Sequence, residues 1–320
     1  MKILSTDEVL HRLSDKSVGK GQDYLAMYSS WYGGIIQDPA LMLLPIDDHM
    51  VHRGDGVFEA FRSFSGRILE VEAHFDRLEA SAKAIELALP MDRHQMHHLC
   101  LELLTLAPKA IDVLFRLYIS RGPGSFTANP YESVGSQLYI VMSVFRSYPS
   151  HFYQRGARAG ISSIPVKATP FSQIKSCNYL PNVLMKKEAI DRGLDFTLGF
   201  TSEGDLAEGS TENILLVTPH REVLAPLFDY TLRGTTLLRV MDLFGQAKQR
   251  DLGLVRVDFT RLNRGHVGQA SEIMMVGTTI GVLPGTEWEG RAVGSGSPGP
   301  FFEYIHQALE SYQLSLLEGE

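Results

Sequence analysis

Cysteine is scarce: Cys100 and Cys177 are the only two in 320 residues. Two scattered thiols exclude a disulfide framework and suit a reducing compartment. Long apolar runs are missing as well. No stretch of roughly 18 apolar residues exists, so no transmembrane helix is expected. The opening Met1-Lys2-Ile3-Leu4-Ser5-Thr6-Asp7-Glu8 turns charged early and lacks the apolar core of a secretory signal. Basic charge is not in excess. Thirty Lys and Arg against 37 Asp and Glu give a net charge of −7, which leaves no electrostatic footprint for nucleic acid and no polybasic patch for a membrane. There is no Walker loop. These absences leave the expectation of a cytoplasmic globular protein without nucleic-acid or membrane partners.

The length favours two domains. The stretch Ser147 to Arg158, with Pro149 and Gly156, has weak periodicity and marks the boundary, giving domains 1–150 and 151–320. In the first half, helices are expected over 7–16, 71–85 and 93–106. In the first of the two longer ones, Val71, Phe75, Leu78, Ala82 and Ile85 recur at spacings of three and four. Strands are expected at 24–32, 42–46, 57–64, 113–120 and 137–145, and Asp47 and Asp48 are expected to open a polar loop. The second half suggests strands at 160–166, 196–201, 213–217 and 272–277. Its helices are expected at 180–192, 235–244 and 301–316. The fold class is α+β, with no internal repeat.

The residues that carry chemistry lie mostly in the second half. Lys175 stands in Ile174-Lys175-Ser176-Cys177-Asn178-Tyr179-Leu180, and a Glu208-Gly-Ser-Thr-Glu-Asn213 run follows. A lysine able to form an imine and an acid able to keep a pyridine nitrogen protonated are the two protein groups that pyridoxal phosphate chemistry most needs. Taken singly, each has a plainer reading. Lys175 could be a solvated surface lysine, Glu208 a turn acid, Arg77 a helix-surface salt-bridge partner, and the threonines after Gly234 and Gly277 simple caps. Glu212 reads as structural. His94, His97 and His98 share helical spacing but lack an acid or cysteine to complete a metal site, so no metal is expected. Cys177 reads as a small packed side chain.

Three ordered blocks tie these residues together. They are Asp47-Asp48-His49-Met50-Val51-His52-Arg53-Gly54-Asp55-Gly56-Val57-Phe58-Glu59, then His74-Phe75-Asp76-Arg77-Leu78, then the segment from Lys175 to Asn213. With them the chain resembles the class IV aminotransferases, the fold-type IV pyridoxal phosphate enzymes. That family includes branched-chain and D-amino acid aminotransferases and aminodeoxychorismate lyases. The stretch Tyr24 to Phe58 is most similar to plant enzymes of the D-amino acid aminotransferase type. The resemblance implies a two-domain fold with the active site between the domains, a homodimer or higher homo-oligomer, and pyridoxal 5'-phosphate as cofactor. It implies Lys175 as imine anchor and proton carrier and Glu208 as partner of the ring nitrogen. Arg77, Thr235, Thr236, Thr278 and Thr279 would hold the phosphate, and Tyr179 the ring oxygen. Arg53, Phe58 and Arg62 would lie on the substrate side. Arginine suits phosphate because its fork presents paired donors. Phe126 and Ala128 stand where bacterial D-amino acid enzymes carry carboxylate-binding residues, so that assignment does not transfer. The reaction implied is ping-pong amino transfer between an amino acid and a 2-oxo acid. Pyruvate-eliminating lyase activity and a catalytically silent cofactor-binding protein are the alternatives.

Overall fold

Strand β3 (Gly56–Phe64) shows how the first half is built. Val57, Glu59, Phe61 and Ser63 are buried on one face, while Phe58, Ala60, Arg62 and Phe64 are half-buried on the other, the period of two that a pleated strand imposes. The computed structural model describes residues 1–17, 23–247 and 252–318. Over these the chain divides into two compact units, Met1–Arg146 with Lys175–Asn178, and Ser147–Ile174 with Tyr179–Glu320.

The first unit contains α1 (Thr6–Ser17), β1 (Tyr24–Ser29), β2 (Gly34–Ile36), α2 (His49–Arg53), β3, β4 (Arg67–Ile68), α3 (Val71–Ala84), α4 (Arg93–Thr105), β5 (Val113–Ser120) and β6 (Gln137–Val144). Its strands form one antiparallel sheet in the order β2-β1-β6-β5-β3-β4. Helix α3 buries His74, Phe75, Leu78, Ser81 and Ala82, a stripe at helical spacing, and contacts β3. Phe61, Phe75 and Phe115 form the aromatic centre of this core, with Phe61 5.6 Å from Phe115 and 6.1 Å from Phe75. Helix α4 begins in a capping box: Asp92 accepts from Gln95 N, and the Gln95 side chain accepts from Asp92 N.

The second unit contains α5 (Ser150–Arg155), β7 (Ala157–Ile161), α6 (Leu180–Asp191), β8 (Phe196–Leu198), β9 (Asn213–Val217), β10 (Glu222–Pro226), α7 (Thr235–Gln246), β11 (Arg256–Thr260), α8 (Arg264–Gln269), β12 (Glu272–Gly277), β13 (Gly281–Trp288), β14 (Arg291–Ala292) and α9 (Pro300–Glu318). Its mixed sheet runs β11-β10-β9-β12-β13-β7-β8, with β14 paired to β13. Both faces of the sheet are covered. Ile214, Leu216, Ile273 and Met275 enter one core cluster, and Leu215, Val217, Met274 and Val276 enter another with Phe244 and Phe301. This two-sided burial explains why β9 and β12 read as nearly unbroken apolar runs.

Four expectations change. Met42–Ile46 is not a strand: no strand is assigned there, and Leu43, Leu44 and Ile46 are exposed. Strand β7 starts earlier than expected, at Ala157, where it pairs with Gly285 of β13. Asp48 is fully buried rather than part of a polar loop, because Tyr139, Ser120 and Met50 N all donate to its carboxylate. Lys175–Asn178, assigned from sequence to the second half, groups with the first unit because it pairs with β3.

The start of α9 depends on one acid. Glu272 is buried and accepts from Phe301 N at 2.9 Å and Phe302 N at 2.8 Å. Gly299 makes room for it, since a Cβ there would lie 2.3 Å from the Glu272 carboxyl carbon. Burial pushes the Glu272 carboxyl up, against the two N–H donors that pull it down. A raised folded value means the native state holds the proton more tightly than the unfolded one, so this group's contribution weakens as pH rises above the ordinary carboxylate range. We predict that Glu272→Ala lowers stability by about 1–2 kcal/mol, the range of a lost helix cap. Glu272→Gln should lose less, with its relative standing improving as pH rises from 4 to 7. Urea unfolding at several pH values checks this; a glutamine variant no better than alanine at any pH would refute it.

Candidate active site

In the first unit, Lys175 sits at the edge of β3. Phe58 N donates to Lys175 O at 2.9 Å, Cys177 N donates to Gly56 O at 2.8 Å, and Val57 and Ser176 form an antiparallel bridge. Lys175 N donates to Ser81 Oγ of α3 at 3.2 Å. The backbone is thus held on both sides, and the half-buried amine lies 4.7 Å from the centre of the Phe58 ring. Gly54 is needed beside it: its φ of 68° is left-handed, and a Cβ would sit 3.3 Å from the Asn178 backbone.

Glu59, the next residue after Phe58, points to the other face. There it accepts from Arg77 Nε at 2.7 Å and Nη2 at 2.8 Å, and from His74 Nδ1 at 2.7 Å. Burial alone would raise this carboxyl, but the Arg77 charge and the donors around it hold it far below the usual carboxylate range. Burial pushes the His74 imidazole down, against the Glu59 carboxylate that pulls it up, and Nδ1 is the nitrogen that donates to that carboxylate. Arg77 is therefore oriented by two parallel bonds along one edge of its guanidinium, a geometry lysine cannot copy.

The face shared by Phe58 and Arg62 continues across β5 and β6. Register sets Phe58 opposite Tyr118, Tyr118 opposite Tyr139, and Arg116 opposite Val141. Arg116, Tyr118, Tyr139 and Val141, with Tyr24 and Met27, line a cavity of about 600 Å³. Arg116 is half-buried there, reaches Ser143 Oγ at 3.4 Å, and pairs with no carboxylate among the described residues. Sequence reading missed Arg116 and Tyr118. The usable signal was an arginine in the middle of an otherwise apolar strand. Of the residues expected near substrate, Arg62 lies 4.7 Å from the Phe145 ring centre. Arg53 is exposed and donates to the carbonyls of His52 and Phe126.

The second unit gathers the remaining groups. Glu208 Oε2 accepts from Leu232 N at 2.9 Å, which fixes the carboxylate against a segment 24 residues away. Glu212 turns inward on its own loop, accepting from Thr211 N at 3.0 Å and Ser210 Oγ at 3.3 Å, which is the structural role expected. Asn213 opens β9 opposite Val276 of β12, and its Nδ2 donates to Leu232 O at 2.9 Å. A Cβ on Gly234 would fall 1.8 Å from Asn213 Oδ1. Only glycine fits, so Gly234-Thr235-Thr236 lies against the same end of the sheet as Gly277-Thr278-Thr279. Gly234, the residue at the start of α7, supplies no side-chain cap. Such a helix start, with hydroxyls beside it, is chemically suited to an anion. Tyr179 precedes α6, and Lys167 Nζ lies 5.4 Å from its ring centre. No group of three metal-ligating side chains occurs among the described residues.

The chain as a whole has relatives among known proteins. Residues 56–288 match the family described as Amino-transferase class IV. The chain is 35% identical over 311 residues to the chloroplastic D-amino-acid transaminase of Arabidopsis thaliana, spanning 96% of this chain and 81% of the relative. Among solved structures, a branched-chain aminotransferase from Thermoproteus uzoniensis shares the fold with a TM-score of 0.80 at 23% identity, over 91% of this chain and 95% of the other. A hypothetical aminotransferase from Mycobacterium tuberculosis, in its pyridoxal phosphate-bound form, gives 0.75 at 24% identity, over 91% and 99%. The chain belongs to the class IV aminotransferase family and is a pyridoxal phosphate-dependent enzyme of ping-pong transamination between an amino acid and a 2-oxo acid.

Proposed function

We propose that Lys175 is the cofactor-anchoring and proton-moving residue of this transaminase. The observation that carries the reading is the pinning of Lys175 between β3 and Ser81, with its amine over Phe58. The donor set fits the cofactor: an uncapped helix start whose glycine admits no Cβ, threonine hydroxyls at two turns, a pre-oriented arginine and a fixed carboxylate. When bound, pyridoxal phosphate supplies an electron sink for the bonds at the substrate Cα. Thr235, Thr236, Thr278, Thr279 and Arg77 would bind the phosphate. Tyr179 would donate to the ring oxygen, and Glu208 would hold the proton on the ring nitrogen. Phe58 would form the floor under the Lys175 amine, which moves the proton at the substrate Cα. Arg116 is the best-supported cation for a substrate carboxylate, since Arg53 and Arg62 are engaged by Phe126 and Phe145. We place the enzyme in the cytoplasm, where its two free thiols would stay reduced.

We also propose a homodimer. Trp31, Tyr32, Ile46, Tyr131 and Val134 of the first unit are exposed, apolar side chains that a second copy of the chain would cover. Light scattering should return twice the mass of one chain, and a monomer at micromolar concentration would dismiss the dimer.

Borohydride reduction of the loaded enzyme followed by peptide mapping should place the cofactor on Lys175; a label on another lysine would end the assignment. Lys175→Ala should lose at least about 10²–10⁴-fold in turnover, the span of a general acid–base residue. Its circular dichroism should stay unchanged. Glu208→Gln should keep the cofactor and slow turnover by about 10²-fold, comparable to losing one preorganised charge partner. Wild-type rates in either variant would remove the role given to it. Pyruvate release from aminodeoxychorismate without an amino acceptor would instead favour the lyase.

A further inference from the structure

Lys167 lies in the second unit, on the connection between β7 and α6, eight positions before Lys175. It is half-buried and makes no direct ion pair among the described residues. Besides its contact with the Tyr179 ring, it lines a small cavity of about 20 Å³ together with Ser172, Asn182, Glu208 and Tyr230. A space of this size takes one water molecule and little else. The cavity is polar where it matters. Asn182 is buried, its Nδ2 donates to Ser210 O at 2.6 Å, and its Oδ1 has no partner among the described residues. The Glu208 carboxylate forms part of the same wall while one of its oxygens is tied to Leu232 N.

We propose that Lys167 is a positioning residue for Glu208: across this cavity its ammonium keeps the carboxylate charged, and so sets how firmly the cofactor's ring nitrogen stays protonated. The inference rests on the reading of Glu208 as the ring-nitrogen partner. Two forces act on Lys167. Burial pushes its ammonium below the ordinary range, and the Glu208 charge pulls it back. The Tyr179 face stabilises the charged form further, because a ring quadrupole attracts a cation. A lysine kept as ammonium cannot serve as a second nucleophile here. Its effect is electrostatic, since a nearby cation favours the ionised form of a carboxylate. Asn182 Oδ1 is the acceptor available to hold a bridging water between the two charges. Because the ammonium also touches Tyr179, two groups assigned to the cofactor ring share one cation.

The test loads wild type and variants with pyridoxal phosphate carrying ¹⁵N in the ring, reads the ring-nitrogen resonance by solid-state NMR, and measures cofactor dissociation by dialysis. Lys167→Met should move the resonance toward that of a neutral pyridine and weaken cofactor binding roughly tenfold, the equivalent of one pKa unit. Lys167→Arg should keep the wild-type resonance, which a loss of packing alone would not explain. Lys167→Gln gives the same readout should the methionine variant fail to fold. Glu208→Gln should move the resonance further, and the double variant should move it no further than Glu208→Gln alone. A wild-type resonance in Lys167→Met and Lys167→Gln, beside a shifted one in Glu208→Gln, overturns the inference and leaves the Glu208 role standing. An unshifted Glu208→Gln removes that role, and this inference with it.

Discussion

The pleat of β3 is the constraint on which the first unit's chemistry depends. Phe58 and Glu59 are neighbours, so they must point to opposite faces. One supports the Lys175 amine, and the other grips Arg77 and His74. A slip of one residue would drive the phenyl ring into the Arg77 site and expose a carboxylate under the lysine. Register is protected on both edges. Seven successive pairs join β3 to β5, and the Lys175 segment closes the other edge with two backbone hydrogen bonds. Glu59 adds its own demand. A fully buried carboxylate is tolerated only while its partners stay in place, and removing one would strand a charge at a penalty of about 3–5 kcal/mol. The strand that positions the amine is thus also the strand that can least afford to shift.

The second unit solves a different problem with backbone rather than charge. An anion site at a helix start needs the chain to come close, and side chains stand in the way. Gly234 removes that obstacle beside Asn213, which in turn is held by Leu232 and by its pairing with Val276. Leu232 N is also the donor to Glu208. One short segment, Leu232 to Thr236, therefore orients the carboxylate and starts α7, the helix proposed to hold the phosphate. The two-sided core beneath β9 and β12 makes this end of the sheet rigid, as catalytic positioning requires.

Elements whose signal is local were legible in the sequence. β3, β5, β6, α3 and α7 announce themselves by period, and β9 and β12 by unbroken apolar runs. What escaped was set by distant partners. Asp48 looks like a loop residue until Ser120 and Tyr139, 72 and 91 residues on, meet it. Strand β13 carries Pro284 and Gly285, both poor strand residues, yet they pair with Met274 and Ile273 of β12. Met42–Ile46 has the composition of a strand but pairs with no strand among the described residues. The motifs named Lys175, Arg77 and Glu208 through resemblance. They did not show that the lysine segment belongs to the β3 sheet, because four residues of pairing carry no periodicity. Arg116 was invisible as a site residue since only the register with Tyr139 and Val141 reveals which face it occupies.

The charge distribution explains how an acidic chain can handle acidic ligands. The molecule carries −7 overall, yet Arg77, Arg116, Lys167 and Lys175 all lie at the groups assigned to cofactor or substrate. Aromatic rings accompany three of them: Phe58 beneath Lys175, Tyr179 beneath Lys167, and Tyr118 with Tyr139 in the Arg116 cavity. This matters because an aromatic face steadies a cation without cancelling its charge, whereas a carboxylate partner would neutralise it. Arg77 is the exception, clamped by Glu59, and its ligand would be a phosphate, whose double charge exceeds what one shared guanidinium must offset. Carboxylate substrates bring only one charge to each contact, so their cations are better left against rings. In the first unit it is the face of the strand each ring occupies that sets which cation it accompanies.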